Sequence, residues 1–184
     1  KHDNIKLVNI PNSGRDGYAK KYALTLGVKA AKYDQLIFID ADCYPVSKTW
    51  LAEMASKFSV KKTLVLGAGG FIPEKGFANK LMRYDACQIA VQYLSFAKAG
   101  IPYMGVGRNM AYRKSLFFAN KGFASHLHIA AGDDDLFVNE TSNRYNTSIE
   151  IHPESFTISE PKETWKDWIR QKRRHYTKWI KYKK

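Results

Sequence analysis

Two carboxylates one residue apart, Asp40 and Asp42, close the apolar run LIFIDADCYP at positions 36–45. An ionised carboxylate is costly to bury without a partner, so a strand ending this way must end at water, a cation or a ligand. Paired hard oxygens can hold Mg²⁺ or Mn²⁺, which keeps its other coordination positions for water and substrate phosphates. The D-x-D spacing alone is equally compatible with a polar loop whose aspartates cap a turn. A second acidic group, Asp133, Asp134 and Asp135, follows Ala130-Ala131-Gly132 and precedes Leu136-Phe137-Val138 at the start of a predicted helix. Acids at a helix N-terminus are favoured by the dipole, so capping accounts for at least one of them. Three exceed what a cap needs, and repulsion between adjacent like charges is one route to a carboxylate that accepts a proton near neutrality.

Carboxylates at a strand end need a sheet behind them. Residues 5–10 (IKLVNI) read as a strand, 18–33 as a helix, 35–40 (QLIFID) as a strand and 63–68 (TLVLGA) as another, with Ser47 as N-cap of a helix around TWLAEMASKF. A long amphipathic segment, 77–100, ends at Gly100 and Pro102 and is expected to pack across the sheet. A glycine-rich turn and strand over YMGVGRNMAYR, a short helix near SLFFANKGF and a strand near TSIEIH follow. This alternation predicts an α/β fold with a mixed, largely parallel sheet flanked by helices, and in such sheets ligands bind at the carboxyl ends of strands, where Asp40 and Asp42 fall. The expected domains are a core over 1–161 and a basic, aromatic amphipathic segment over 162–184.

With 184 residues, 45% of them hydrophobic, the chain fits one globular domain. The formal charge of +13 is concentrated from Lys162 to the end, where ten basic residues face Glu163 and Asp167. Such a tail raises nucleic acid, an anionic membrane or a phosphorylated ligand as partners. Cys43 and Cys87 are too few for a disulfide framework and are expected to be buried thiols in a reducing compartment. Gly67-Ala68-Gly69-Gly70 lacks the last glycine of a dinucleotide fingerprint, and GRDGYAKK lacks the G-K-[ST] of a P-loop. Gly105-Val106-Gly107-Arg108-Asn109 could bring backbone close to a ligand, though a β-bulge explains it equally well. His126 and His128 lack a further ligand cluster and are read as surface residues.

Four segments in order, LIFIDADCYPVSKTWL, GVGRNMAYRKSLF, AGDDDLFVNE and QKRRHY, resemble family 2 glycosyltransferases of the type A nucleotide-sugar-binding fold, particularly membrane-associated bacterial members. The resemblance implies that Asp42 is a metal ligand for Mg²⁺ or Mn²⁺ and Asp40 a second ligand or donor-side partner. Lys20-Lys21-Tyr22-Ala23-Leu24 resembles the family's G-K-x-A-A-L helix start, with Ala19 in place of glycine, which makes Lys20 a donor-side residue. The acid triplet resembles E-D-x-D-L without its glutamate; the catalytic base is Asp133 or Asp134, depending on how the motif is anchored. Gln171-Lys172-Arg173-Arg174-His175 resembles Q-x-x-R-W with histidine for tryptophan, implying diphosphate contacts from Gln171, Arg173 and Arg174. Gly107, Asn109, Gly132 and Asp135 are expected around the sugar and acceptor. In such enzymes a first strand and an acidic turn holding the nucleotide base would precede Lys1, so the chain is expected to be N-terminally incomplete.

These expectations describe an inverting glycosyltransferase with a nucleotide-diphosphate sugar donor and a sugar or lipid acceptor, at an anionic membrane surface on the cytoplasmic face of the inner membrane. The rival is a basic nucleic-acid-binding protein gripping phosphates through the Lys/Arg/Trp-rich tail. The exposed acids argue against a polyanion groove.

Overall fold

The computed structural model describes residues 5–10, 19–129, 132–162, 164–176 and 182, with backbone alone for 174–176. Helix α1 (Ala19–Ala30) leads into strand β1 (Gln35–Phe38), and a tight turn over residues 39–42 passes to strand β2 (Cys43–Pro45). Helix α2 (Trp50–Ser56), strands β3 (Leu64–Leu66) and β4 (Gly69–Phe71), and the 22-residue helix α3 (Phe77–Lys98) follow. Strand β5 (Met110–Arg113) runs into helix α4 (Lys114–Ala119), and α5 (Asp135–Thr141), β6 (Thr147–Ile149), β7 (Thr157–Ser159) and α6 (Trp165–Tyr176) complete the order.

The main sheet has the order β1-β5-β3-β6. β1 and β3 are both antiparallel to β5, and β6 is parallel to β3. Three strands therefore run in one direction, and the reversed strand sits between two of them, which makes most of the direct pairing antiparallel. A second sheet, β2-β7-β4, joins β2 and β7 antiparallel and β4 and β7 parallel. The chain crosses from the first sheet to the second right after β1, so the turn carrying Asp40 and Asp42 lies where the two sheets diverge.

Alternation along the strands decides the layers. Leu64, Leu66, Met110 and Tyr112 face a core built with Tyr93, Phe117, Phe137 and Val138, whereas Val65 and Ala111 face Met54 of α2. Tyr112 stacks 4.3 Å from Phe38 and lies 4.7 Å from Phe137, so the core continues unbroken beneath α5, which carries the acids. Phe137 is fully buried, and its truncation to alanine is worth about 3–5 kcal/mol.

Several local expectations are corrected. Residues 5–10 form no strand, and Ile5, Leu7 and Ile10 are exposed; a strand needs a neighbour to take its backbone groups, and β1 is paired on its β5 side alone among the described residues. Thr49, not Ser47, stands at the N-cap of α2, and Ser47 Oγ accepts from the Thr49 N–H at 3.1 Å. Cys87 is exposed on the outer face of α3, while Cys43 is buried at the start of β2. His126 is buried, 3% exposed, because the neighbouring Lys21 draws its loop onto α1. No helix among the described residues is long and apolar enough to cross a membrane.

Candidate functional site

An open cleft of about 1620 Å³ runs along the carboxyl end of β1, the Gly105–Arg108 loop, the start of α5 and the inner face of α6. Three expected groups meet in it: Asp40 and Asp42, Gly107, and Asp133 to Asp135. The turn holding the first pair is closed by a hydrogen bond from the Cys43 N–H to the Asp40 carbonyl, 3.0 Å. Asp42 is exposed, and its carboxylate accepts from the Cys43 thiol at 3.6 Å. Burial first, then the Asp42 and Asp40 carboxylates, push that thiol's pKa up to about 11, which keeps it protonated.

Lys20 couples the two acidic groups. Its Nζ lies 2.9 Å from Asp40 Oδ1 and 2.8 Å from Asp133 Oδ2. Burial alone would lower the Lys20 pKa, but the Asp133 and Asp40 carboxylates outweigh it and hold the ammonium charged well above the usual lysine range. Lys21, one residue on, points about 100° around the helix and is fully buried, donating to the carbonyls of His126 at 2.6 Å and Ile129 at 2.9 Å. The first turn of α1 thus grips both the acids and the loop leading to them. Lys21 carried no expected role; its neighbour's motif position was the only signal.

The triplet divides its work. Asp134 is the N-cap of α5: its Oδ1 accepts from the Asp135 N–H at 2.8 Å and its Oδ2 from the Gly107 N–H at 3.0 Å. A Cβ on Gly107 would lie 3.3 Å from Asp40 and 3.5 Å from Asp134, so a glycine lets this loop approach both turns. Asp135 is buried and accepts from the Leu136 N–H and, at 3.2 Å, from the Tyr182 hydroxyl. Burial, then the Asp135 carboxylate, holds that phenol protonated far above the usual tyrosine range. Gly132 has φ +91°, a conformation glycine adopts freely, and it turns the chain into the triplet without lining the cleft.

Asn109 does not belong to the sugar pocket expected of it. It is completely buried: Nδ2 donates to the carbonyls of Ala68 and Ser155, both at 2.8 Å, and Oδ1 accepts from Trp50 Nε1 at 3.1 Å. It ties β5 to both sheets behind the cleft. On α6, Trp168, Gln171 and Lys172 line the cleft, and Lys172 pairs with Asp85 of α3. Arg173 is exposed and does not line the cleft, being turned about 100° around the helix from Lys172. The Arg174 side chain lies outside the described residues, as do residues 177–181, 183 and 184.

The cleft's donor set suits a small hard cation through Asp42, which is exposed, with the remaining positions left to water and phosphate oxygens. Asp40 already gives one oxygen to Lys20. Among the described residues the one three-residue cluster at metal-ligand spacing is Glu53, His152 and Glu154, away from the cleft, where Glu154 also accepts from Thr49 Oγ1.

A model of the family described as glycosyl transferase family 2 matches residues 6–118. Among solved structures, this chain is similar to a mannosyltransferase, PcManGT, from Pyrobaculum calidifontis in complex with GDP-Man and Mn²⁺, with a TM-score of 0.56 at 18% identity. The match covers 89% of this chain and 44% of that one, so the chain spans less than half the length of this neighbour. No curated protein matches. The neighbour shares the type A nucleotide-sugar-binding architecture, and the family match extends from the chain before α1 through β5 into α4: the chain belongs to glycosyl transferase family 2.

Proposed function

We propose that this chain is the catalytic core of an inverting glycosyltransferase that moves a sugar from a nucleoside-diphosphate donor to a hydroxyl acceptor on a glycan or lipid. The observation that carries the reading is the bridge Asp40–Lys20–Asp133, which places the D-x-D turn and the acid triplet on opposite sides of one ammonium group. Asp42 and Asp40 fit a Mg²⁺ or Mn²⁺ site, and a bound divalent ion would offset charge on the departing diphosphate. Asp134 is spent on capping α5 and on Gly107, which leaves Asp133 as the better general base for the acceptor hydroxyl. One displacement with one base inverts the anomeric centre. Gln171 also lines the cleft and suits the diphosphate side.

The test is calorimetric titration of the chain with nucleoside diphosphates and a panel of nucleotide sugars, with and without Mn²⁺ or Mg²⁺. Divalent-dependent binding supports the reading; steeply salt-dependent DNA binding without it would overturn it in favour of a nucleic-acid partner.

A membrane-surface location, at the cytoplasmic face of the inner membrane in a bacterial host, is part of the same proposal, and the outer face of α6 suits the membrane contact. Trp165, Lys166, Ile169, Arg170 and Arg173 are all exposed there, while Trp168, Gln171 and Lys172 turn inward. Aromatic, aliphatic and basic side chains on one face are the pattern of an interfacial helix. Sedimentation with anionic vesicles should show binding that Trp165→Ala with Arg170→Ala weakens; binding unaffected by that pair would refute this location.

A further inference from the structure

Two cations of the cleft are committed to carboxylates. Lys20 is shared between Asp40 and Asp133, and Lys172 pairs with Asp85. Arg108 is held differently. Its guanidinium lies 4.9 Å over the Phe71 ring, and its Nη1 is buried with no hydrogen-bond partner among the described residues. No carboxylate of those residues forms an ion pair with it. The side chain is nevertheless fixed in place: a Cβ on Gly69 would lie 3.1 Å from Arg108 Cβ and 2.9 Å from Thr157 Oγ1, so the stem passes through a slot that only glycine leaves. Thr157 Oγ1 donates to the Arg108 carbonyl at 3.0 Å and locks the backbone there. A buried guanidinium nitrogen without an acceptor forfeits a charge-assisted hydrogen bond, a cost recovered only when an acceptor arrives.

Asp42 lines the same cleft, and Arg108 does not pair with it. Both act on the Cys43 thiol, where Arg108 opposes the upward push of burial and of the two aspartates. A cleft lined by a carboxylate and a guanidinium that do not pair with one another suits a ligand that brings both signs. A metal diphosphate does so, with the cation on the carboxylate and phosphate oxygens on the planar guanidinium fork. A sugar carboxylate would satisfy Arg108 and leave Asp42 unanswered.

We infer that Arg108, shelved on Phe71, binds the donor's diphosphate in the cleft that Lys20 and Asp42 also line. The inference rests on the glycosyltransferase reading and assigns that site an anion-binding residue outside its acidic motifs and its α6 segment.

The test uses inorganic pyrophosphate with Mn²⁺, a probe that carries neither sugar nor base. Arg108→Met should weaken its binding about 10- to 100-fold, the worth of a hydrogen bond to a charged group. Arg108→Lys should recover part of the loss, and Phe71→Leu should cost a few-fold through the lost shelf. Unchanged thermal midpoints establish that each variant folds. Should Asp42→Asn abolish pyrophosphate binding while Arg108→Met leaves it intact, the Arg108 inference is overturned and the glycosyltransferase reading stands. If the unsubstituted chain binds no nucleoside diphosphate with Mn²⁺, both fall. A loss confined to uronic-acid nucleotides, with pyrophosphate unaffected, would give Arg108 to a carboxylate and equally overturn the diphosphate assignment.

Discussion

The two acidic turns of the cleft differ in how fully the chain itself engages them. At the end of β1, Asp42 is exposed and meets a thiol at 3.6 Å, and Asp40 is tied through Lys20. At the start of α5, Asp133 is bound to Lys20, Asp134 to two backbone N–H groups, and Asp135 to Leu136 and Tyr182. A lightly engaged carboxylate adapts to an incoming cation without first losing internal bonds. A heavily engaged one is preorganised, as a group must be when a proton is to move at a fixed atom. Under the proposed function, the first turn is therefore the binding element and the second a positioned catalytic element with a structural cap inside it.

The sharpest way to break this division is Asp133→Asn, for which turnover should fall about 10²–10⁴-fold with donor affinity little changed, as for loss of a general base. Steady-state kinetics beside calorimetry checks it; normal turnover would return the triplet to a mere helix cap. Next in size, Asp42→Asn should remove most of the divalent-dependent donor affinity while leaving the thermal midpoint where it was, since an exposed carboxylate contributes no core volume. A midpoint that drops together with affinity would show that the first turn is structural as well.

Asp134→Ala tests the capping half of the contrast. Losing the N-cap and orphaning the Gly107 N–H should cost about 1–2 kcal/mol in denaturant unfolding, against roughly 0.5 kcal/mol or less for the same change at Asp42. Equal costs would erase the distinction between the turns. The smallest effect concerns the loop that delivers the triplet. Burial, then the Lys21 ammonium, lowers the His126 pKa, and Glu140 at 3.2 Å opposes this in part. The unfolded chain then takes up a proton first as the pH falls. The stability contributed by neutral His126 is thus present above the ordinary imidazole range and lost as pH drops through the folded value. Thermal midpoints between pH 8 and pH 5 should decline less steeply in His126→Gln than in the unsubstituted chain.

Much of this was legible along the chain. The switch from a continuous apolar run to charge at Asp40 and Asp42 announced a strand end at solvent, and the apolar runs of the main strands and the spacing in α1 and α3 announced their elements, because each signal extends over enough residues to stand above noise. The acid triplet announced a helix start by type alone. The small sheet did not show itself: β2, β4 and β7 have three residues each, too few for a period, and they exist only because distant segments pair.

Burial of polar groups was also beyond the sequence. Asn109 sits in a motif that reads as ligand-facing, yet its three hydrogen bonds join segments 41 to 59 positions away. Lys20 and Lys21 are identical in type and adjacent, and only their rotation about α1 sends one to the cleft and the other into the protein. Arg108 is similar: nothing in its neighbours' identities says that Phe71 and Gly69, nearly forty residues earlier, will hold its guanidinium. Residue types and their spacing determined which groups could do chemistry here. Which of them face one another across the cleft was decided by long-range pairing, because a side chain's partner depends on where the rest of the chain packs.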